Sequence, residues 1–136
     1  MRVAYSIAAC FLTAVLAGCE TSSGVSAGAP VSTTPYSLSS ADSNAVKEGV
    51  RSTLKDPTSP IFGSMNARSA SDGTVSVCGY VNAKNSFGGY VGNTPYMGVL
   101  GANGTKDAVF VVTAMGGTDI ETRVVYMMCS KYGIAI

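Results

Sequence analysis

The 136 residues contain no histidine and no tryptophan. Without histidine, the Ser-His and Cys-His pairs that activate nucleophiles cannot be assembled. Zinc sites with imidazole ligands are excluded for the same reason. A surplus of positive charge is also missing: nine Lys and Arg stand against eight Asp and Glu, and Arg2 aside the two balance. Nucleic-acid-binding domains carry clustered basic charge, so no nucleic acid is expected as a partner. No Gly-Lys-Ser/Thr loop is present to cradle a phosphate. A Ser-Lys arrangement of Ser86 with Lys84 or Lys106 has no support in the spacing. Asp56, Asp72, Asp107, Asp119 and Glu121 sit where turns or strand ends are expected, not as a facing pair suited to glycoside hydrolysis. The chain is expected to be non-catalytic, with no cofactor and no metal.

Long apolar runs are scarce, and the one at the N-terminus is short. Met1 and Arg2 precede an apolar stretch over residues 3–17. As a helix it would span about 22 Å, less than the ~30 Å hydrocarbon core of a bilayer. That length suits the apolar region of a secretion signal. The following Leu16-Ala17-Gly18-Cys19 resembles the bacterial lipobox, in which small residues precede a cysteine that is diacylated and exposed by cleavage. The resemblance implies a signal peptide over residues 1–18 and lipidation at Cys19, with the membrane as a partner through that lipid. Two or three acyl chains, at roughly 0.8 kcal/mol per buried methylene, anchor a domain stably. In enterobacterial lipoproteins an aspartate after the cysteine favours inner-membrane retention. Glu20 stands there instead, which implies the outer membrane; the periplasmic face is the expected side.

Residues 20–37 are rich in Ser, Thr, Gly, Ala and Pro and show no periodicity. Such a composition buries too little apolar surface to order itself, and residues 19–37 are expected to form a lipidated, disordered tether. Residues 38–136 are the size of one domain. A helix is expected first, N-capped by Ser39 or Ser40, with Asp42 in its first turn and Pro57 stopping it near Lys55. Ala41, Ala45, Val46, Val50 and Leu54 give it one apolar stripe. Lys47, Arg51 and Lys55 lie opposite, offset by Asp42, Glu48 and Asp56, and read as a solvated face. Strands are expected over residues 74–83, 108–113 and 121–131, with weaker patterning over 96–100 and 62–70. In the first of these, Val75, Val77, Gly79, Val81 and Ala83 share one side. The fold class is therefore α+β: one N-terminal helix packed on a small antiparallel sheet.

Of four cysteines, Cys10 leaves with the signal and Cys19 takes lipid. Cys78 and Cys129 remain, both in expected strands and in an oxidising compartment, and are expected to form a disulfide. A redox-active pair lacks both the Cys-x-x-Cys motif and activating charge.

The most unusual stretch, residues 78–96, interleaves Asn82, Asn85, Gly88, Gly89, Gly92 and Asn93 with Phe87, Tyr90 and Tyr96. Together with Asp56-Pro57-Thr58-Ser59-Pro60-Ile61-Phe62, the run over residues 77–92 resembles a signature of small, mostly uncharacterised proteobacterial proteins, many exported or lipid-anchored. That resemblance implies kinship in fold and supplies no activity. The Thr/Pro-rich sequence around Asn93 and Thr94 departs from the pattern. Asn82, Asn85, Phe87, Tyr90, Asn93 and Tyr96 are the candidate binding residues. They suit either a protein partner in the envelope, since tyrosine is enriched at interfaces, or peptidoglycan, by stacking on sugar rings. The structural alternative is a tight Gly-Gly hairpin whose aromatics cover the sheet. An exposed Tyr90–Tyr96 patch with asparagines in a groove would favour a periplasmic ligand-binding or inhibitory module, acting on peptidoglycan or on an enzyme that attacks it. A flat apolar patch or open sheet edge would favour an accessory lipoprotein docking to another envelope component.

Overall fold

The computed structural model describes residues 30–136. The signal segment, Cys10 and Cys19 lie outside the described residues. Five strands form one antiparallel sheet in chain order: β1 (Thr33–Tyr36), β2 (Ile61–Ala70), β3 (Val75–Asn82), β4 (Thr94–Gly101) and β5 (Val109–Met115). Helix α1 (Ser40–Arg51) lies between β1 and β2, and helix α2 (Asp119–Lys131) follows β5.

The alternation along β3 decides the two faces. Val75, Val77 and Val81 turn to one side, where Tyr96, Leu100 and Phe110 join them beneath Val46 and Val50 of α1. Cys78 turns to the other, where it meets Met97 of β4 and Val125 and Cys129 of α2. The sheet is thus covered on both faces, one helix to each. This corrects the expectation of a single helix. Residues 121–131, expected as a strand, belong to α2.

The physical reason lies at the start of α2. Thr118 caps the helix, accepting from the Glu121 amide, while the Glu121 carboxylate accepts from the Thr118 amide. This Ser/Thr-x-x-Glu capping box satisfies two donors that a helix start otherwise leaves orphaned. Within the apolar run, Val125 and Cys129, four residues apart, are buried, whereas Val124, Tyr126 and Met127 are exposed. That is helical spacing, not alternation.

The predicted N-terminal helix is present, capped by Ser39 in the same manner with Asp42 as its partner. It ends at Arg51, one turn earlier than Pro57 alone requires. Part of the expected tether is also ordered: Thr33–Tyr36 pairs with Ala67–Ala70 of β2. The short β1 is secured from the side, since the Arg68 guanidinium donates to both the Thr33 hydroxyl and its carbonyl, each at 2.7 Å.

The expected disulfide joins Cys78 to Cys129, with Cα atoms 6.2 Å apart. It ties β3 to α2 rather than strand to strand. Both sulfurs are buried, and the bridge is the centre of the smaller core.

Candidate functional site

The two signature segments, apart in sequence, meet at one end of the sheet. Ile61 and Phe62 pair with Asn82 and Val81, so the start of β2 lies beside the end of β3. Ahead of it Asp56 organises a turn, its carboxylate accepting from the Thr58 amide and hydroxyl and from the Ser59 hydroxyl. Those bonds hold the Asp56 carboxyl below the ordinary aspartate range. The Ser59 carbonyl then accepts from the Tyr90 hydroxyl at 3.2 Å.

Beyond β3 the chain doubles back through a narrow loop. Lys84 and Tyr90 face each other as an antiparallel bridge. The Asn82 side-chain oxygen accepts from the Gly92 amide at 3.0 Å, and that of Asn85 from the Phe87 and Gly89 amides at 2.9 and 3.1 Å. The Asn85 amide donates to the Gly89 carbonyl, and the Gly88 amide donates to the Asn85 carbonyl. Gly88 has a positive φ of 81°, which a side chain would strain. The Lys84 ammonium lies 5.4 Å from the centre of the Tyr90 ring. The outcome is a braced turn with Phe87 at its tip, 97% exposed.

The six candidate binding residues therefore divide. Asn82 and Asn85 use their amide oxygens to build the loop. Phe87, Tyr90 and Asn93 are exposed. Tyr96 is not a surface residue and is corrected here: it is fully buried. Alternation along β4 turns Tyr96 to the α1 face, where its ring meets Phe110 edge-on at 6.2 Å. Its hydroxyl sits above Gly79, 2.7 Å from where a Cβ would be. No group among the described residues satisfies that hydroxyl, and burial pushes its pKa well above the ordinary tyrosine value.

The same end of the molecule contains exposed residues that the sequence did not single out. Ile61 and Val91 are exposed beside Tyr90. Behind the loop lies a cleft of about 340 Å³ between the end of α1, the end of β3 and the β5–α2 link. Leu54, Val81, Ala83, Val91 and Met115 supply apolar lining, and Lys55 and Lys84 are its charged lining residues. A larger depression of about 600 Å³ opens beside β1, lined by Pro35, Asn66, Arg68 and Ala135 among others. Its only charged group, Arg68, is already bonded to Thr33.

A second exposed apolar surface lies on the α2 side. Val111 is opposite Val99, two residues along from Met97, so Val109 and Val111 share the face on which α2 packs. Both are exposed, as are Ile120 and Met127 of the helix.

Each sheet edge carries a feature that blunts strand addition. A Cβ at Gly49 would strike the Phe110 carbonyl, so α1 lies hard against β5. The part of β2 without a β1 partner contains a bulge between Phe62 and Met65, and β1 contains Pro35. Helix cover, bulges and proline are the usual means of blunting an edge.

Among the described residues, no three His, Cys, Asp or Glu side chains cluster as a metal site would need. No protein-family model, curated protein or solved structure matches the chain.

Proposed function

We propose that this is a lipid-anchored accessory protein of the bacterial envelope, held at the outer membrane through Cys19, which docks to another envelope protein through the Phe87 end of its sheet. The observation that carries the reading is Phe87 itself. An aromatic ring left almost wholly in solvent loses the free energy of burial, roughly 1.5–3 kcal/mol for a large apolar side chain. Yet the loop that presents it is fixed by side-chain and backbone hydrogen bonds. A rigid, exposed aromatic at the tip of a loop whose base carries exposed Tyr90 and Val91 has the character of an interface anchor.

The placement of the anchor agrees with this. The described chain enters beside the β2–β3 turn, where Thr33 pairs with Ala70, the last residue of β2. Phe87 lies beyond the first residues of the same ten-residue strand. Those two ends are about 30 Å apart at the usual strand rise. The eleven or so residues between Cys19 and Pro30 span at most about 40 Å even when fully extended. A lipid at Cys19 would therefore keep the domain within about 40 Å of the membrane, with the chain entering at the end of β2 opposite Phe87. The resemblance of residues 56–62 and 77–92 to exported and lipid-anchored proteins supports the same address. The glycan reading is weaker, because burial of Tyr96 removes one of the two rings on which it depends.

The reading is tested by in-cell cross-linking followed by mass spectrometry on wild type, Cys19→Ala and Phe87→Ala/Tyr90→Ala. One envelope protein captured by wild type and lost in the aromatic double variant is the expected result. Cys19→Ala should move the chain out of the membrane fraction. Muropeptides captured in place of a protein would replace docking with glycan binding. An unaltered profile in the aromatic variant would end the docking reading.

A further inference from the structure

Resting on the docking reading, the geometry points to a ligand class for the cleft behind the Phe87 loop: we infer that it takes a short peptide segment in which a carboxylate sits next to an apolar side chain. The cleft is bordered by α1, β3, the loop and the β5–α2 link, so elements on either side of the Phe87 loop hold its shape. About 340 Å³ is at the small end of ligand sites, enough for one or two side chains and not for a large cofactor. Leu54, Val81, Ala83, Val91 and Met115 make an apolar lining suited to an aliphatic or aromatic side chain.

The charge is one-sided. Lys55 and Lys84 line the cleft, and neither forms an ion pair within 4.0 Å among the described residues, where the one such pair joins Arg51 to Glu48. The neighbouring carboxylates are occupied. Asp56, close enough to feel the charge of Lys84, is bonded to Thr58 and Ser59. Glu121, whose carboxylate reaches Gly117 on the far wall, is bonded to the Thr118 amide and hydroxyl. Two cations without a bound carboxylate beside an apolar hollow complement an anionic group on an apolar body. Lys84 is held against the Tyr90 ring, which limits its freedom and lowers the entropy lost when it meets a ligand.

The probe is a random dodecapeptide display library, panned on the full-length chain in nanodiscs after depletion on empty nanodiscs. Enriched peptides are expected to place Asp or Glu beside Leu, Ile or Phe. A labelled copy of the best peptide should lose at least fivefold in affinity for Lys55→Gln/Lys84→Gln and bind Lys106→Gln, at the opposite end, as wild type does. Because Lys84 also braces the loop, Lys55→Gln alone should give a smaller loss in the same direction. Absence of enrichment, enriched peptides without carboxylates, or equal affinity for the double variant would overturn the inference. The two readings fail separately. Peptides that depend on Phe87 but ignore both lysines would leave docking standing without this cleft. Lysine-dependent peptides, with no envelope partner captured through Phe87, would leave the cleft standing without docking.

Discussion

Tyr96 brings a phenol hydroxyl into the core, where no donor or acceptor of the described residues meets it. An unsatisfied buried hydroxyl costs free energy, and removing it can be neutral or stabilising. Tyr96→Phe is accordingly expected to leave stability unchanged or raise it by up to about 1 kcal/mol, read from urea midpoints at constant m-value. Gly79 is the opposite case. A Cβ there would sit 2.6 Å from the Ser64 carbonyl oxygen and 2.7 Å from the Tyr96 hydroxyl. Gly79→Ala should cost roughly 2–3 kcal/mol through overpacking, while the double change Gly79→Ala with Tyr96→Phe should recover part of that loss. A result in which the two changes simply add would mean that they do not share a space. The sequence places Tyr96 among the binding aromatics because it stands near Tyr90 in an Asn-Gly-rich run. What overrides that proximity is its register: Tyr96 lies opposite Gly79, on the face that α1 covers. Asn85 was identifiable as a loop residue and Asn82 as one near a strand end, but their bonds to Gly92, Phe87 and Gly89 depend on how tightly the loop closes, and periodicity does not report that.

Two elements show where pattern reading succeeds and where a local signal is needed. The alternation in β3 is legible because both neighbours in the sheet are present, and Val75, Val77 and Val81 all reach the larger core. The apolar run in α2 is ambiguous, since a short run of Val, Tyr and Met fits a buried strand as well as a helix. Thr118-Asp119-Ile120-Glu121 is the signal that separates them, being a capping box at the start of the run. Thr118→Ala should therefore destabilise by about 1 kcal/mol, measurable by chemical denaturation, and a strand in that place would be indifferent to it. The disulfide pairing was legible by elimination, but one of the elements it joins was not: it fastens a helix to the sheet. Closing a loop of 51 residues is worth roughly 4 kcal/mol on the chain-entropy view. Cys78→Ala/Cys129→Ala is expected to lose most of that, with hydrogen exchange quickening first along α2. Uniform loss of protection would contradict the view that the bridge chiefly retains that helix.

At the scale of the whole molecule, one buried carboxylate connects segments far apart in the chain. Asp42, fully buried, accepts from the Ser39 amide and hydroxyl, the Tyr36 hydroxyl and, at 2.7 Å, the Gly104 amide in the β4–β5 turn. Burial opposes its charge, but these bonds outweigh that effect and hold the carboxyl below the ordinary value of 3.8. A folded-state pKa below the unfolded one gives stability that is fully present above the unfolded value and is lost as pH falls through the folded one. Stability should thus be level from neutrality to about pH 5 and decline below about pH 4. Asp56 and Asp72 are lowered in the same direction and share in that decline, so the useful comparison is with Asp42→Asn. That variant should be less stable at neutral pH and flatter in acid; parallel curves would remove Asp42 from the account. The sequence gives Asp42 a local place in the first turn of α1. Its link to Gly104 arises only when the sheet brings the distant turn to the helix start.

The proposed role of the Phe87 end of the sheet is to meet a protein partner. A photo-cross-linking amino acid placed at Phe87, with a matched control at Lys106 in the turn at the opposite end, tests it most directly in living cells. One discrete cross-linked product is expected from position 87, dependent on Cys19 for its yield, and none from position 106. No product from position 87, or the same products from both ends, would contradict it.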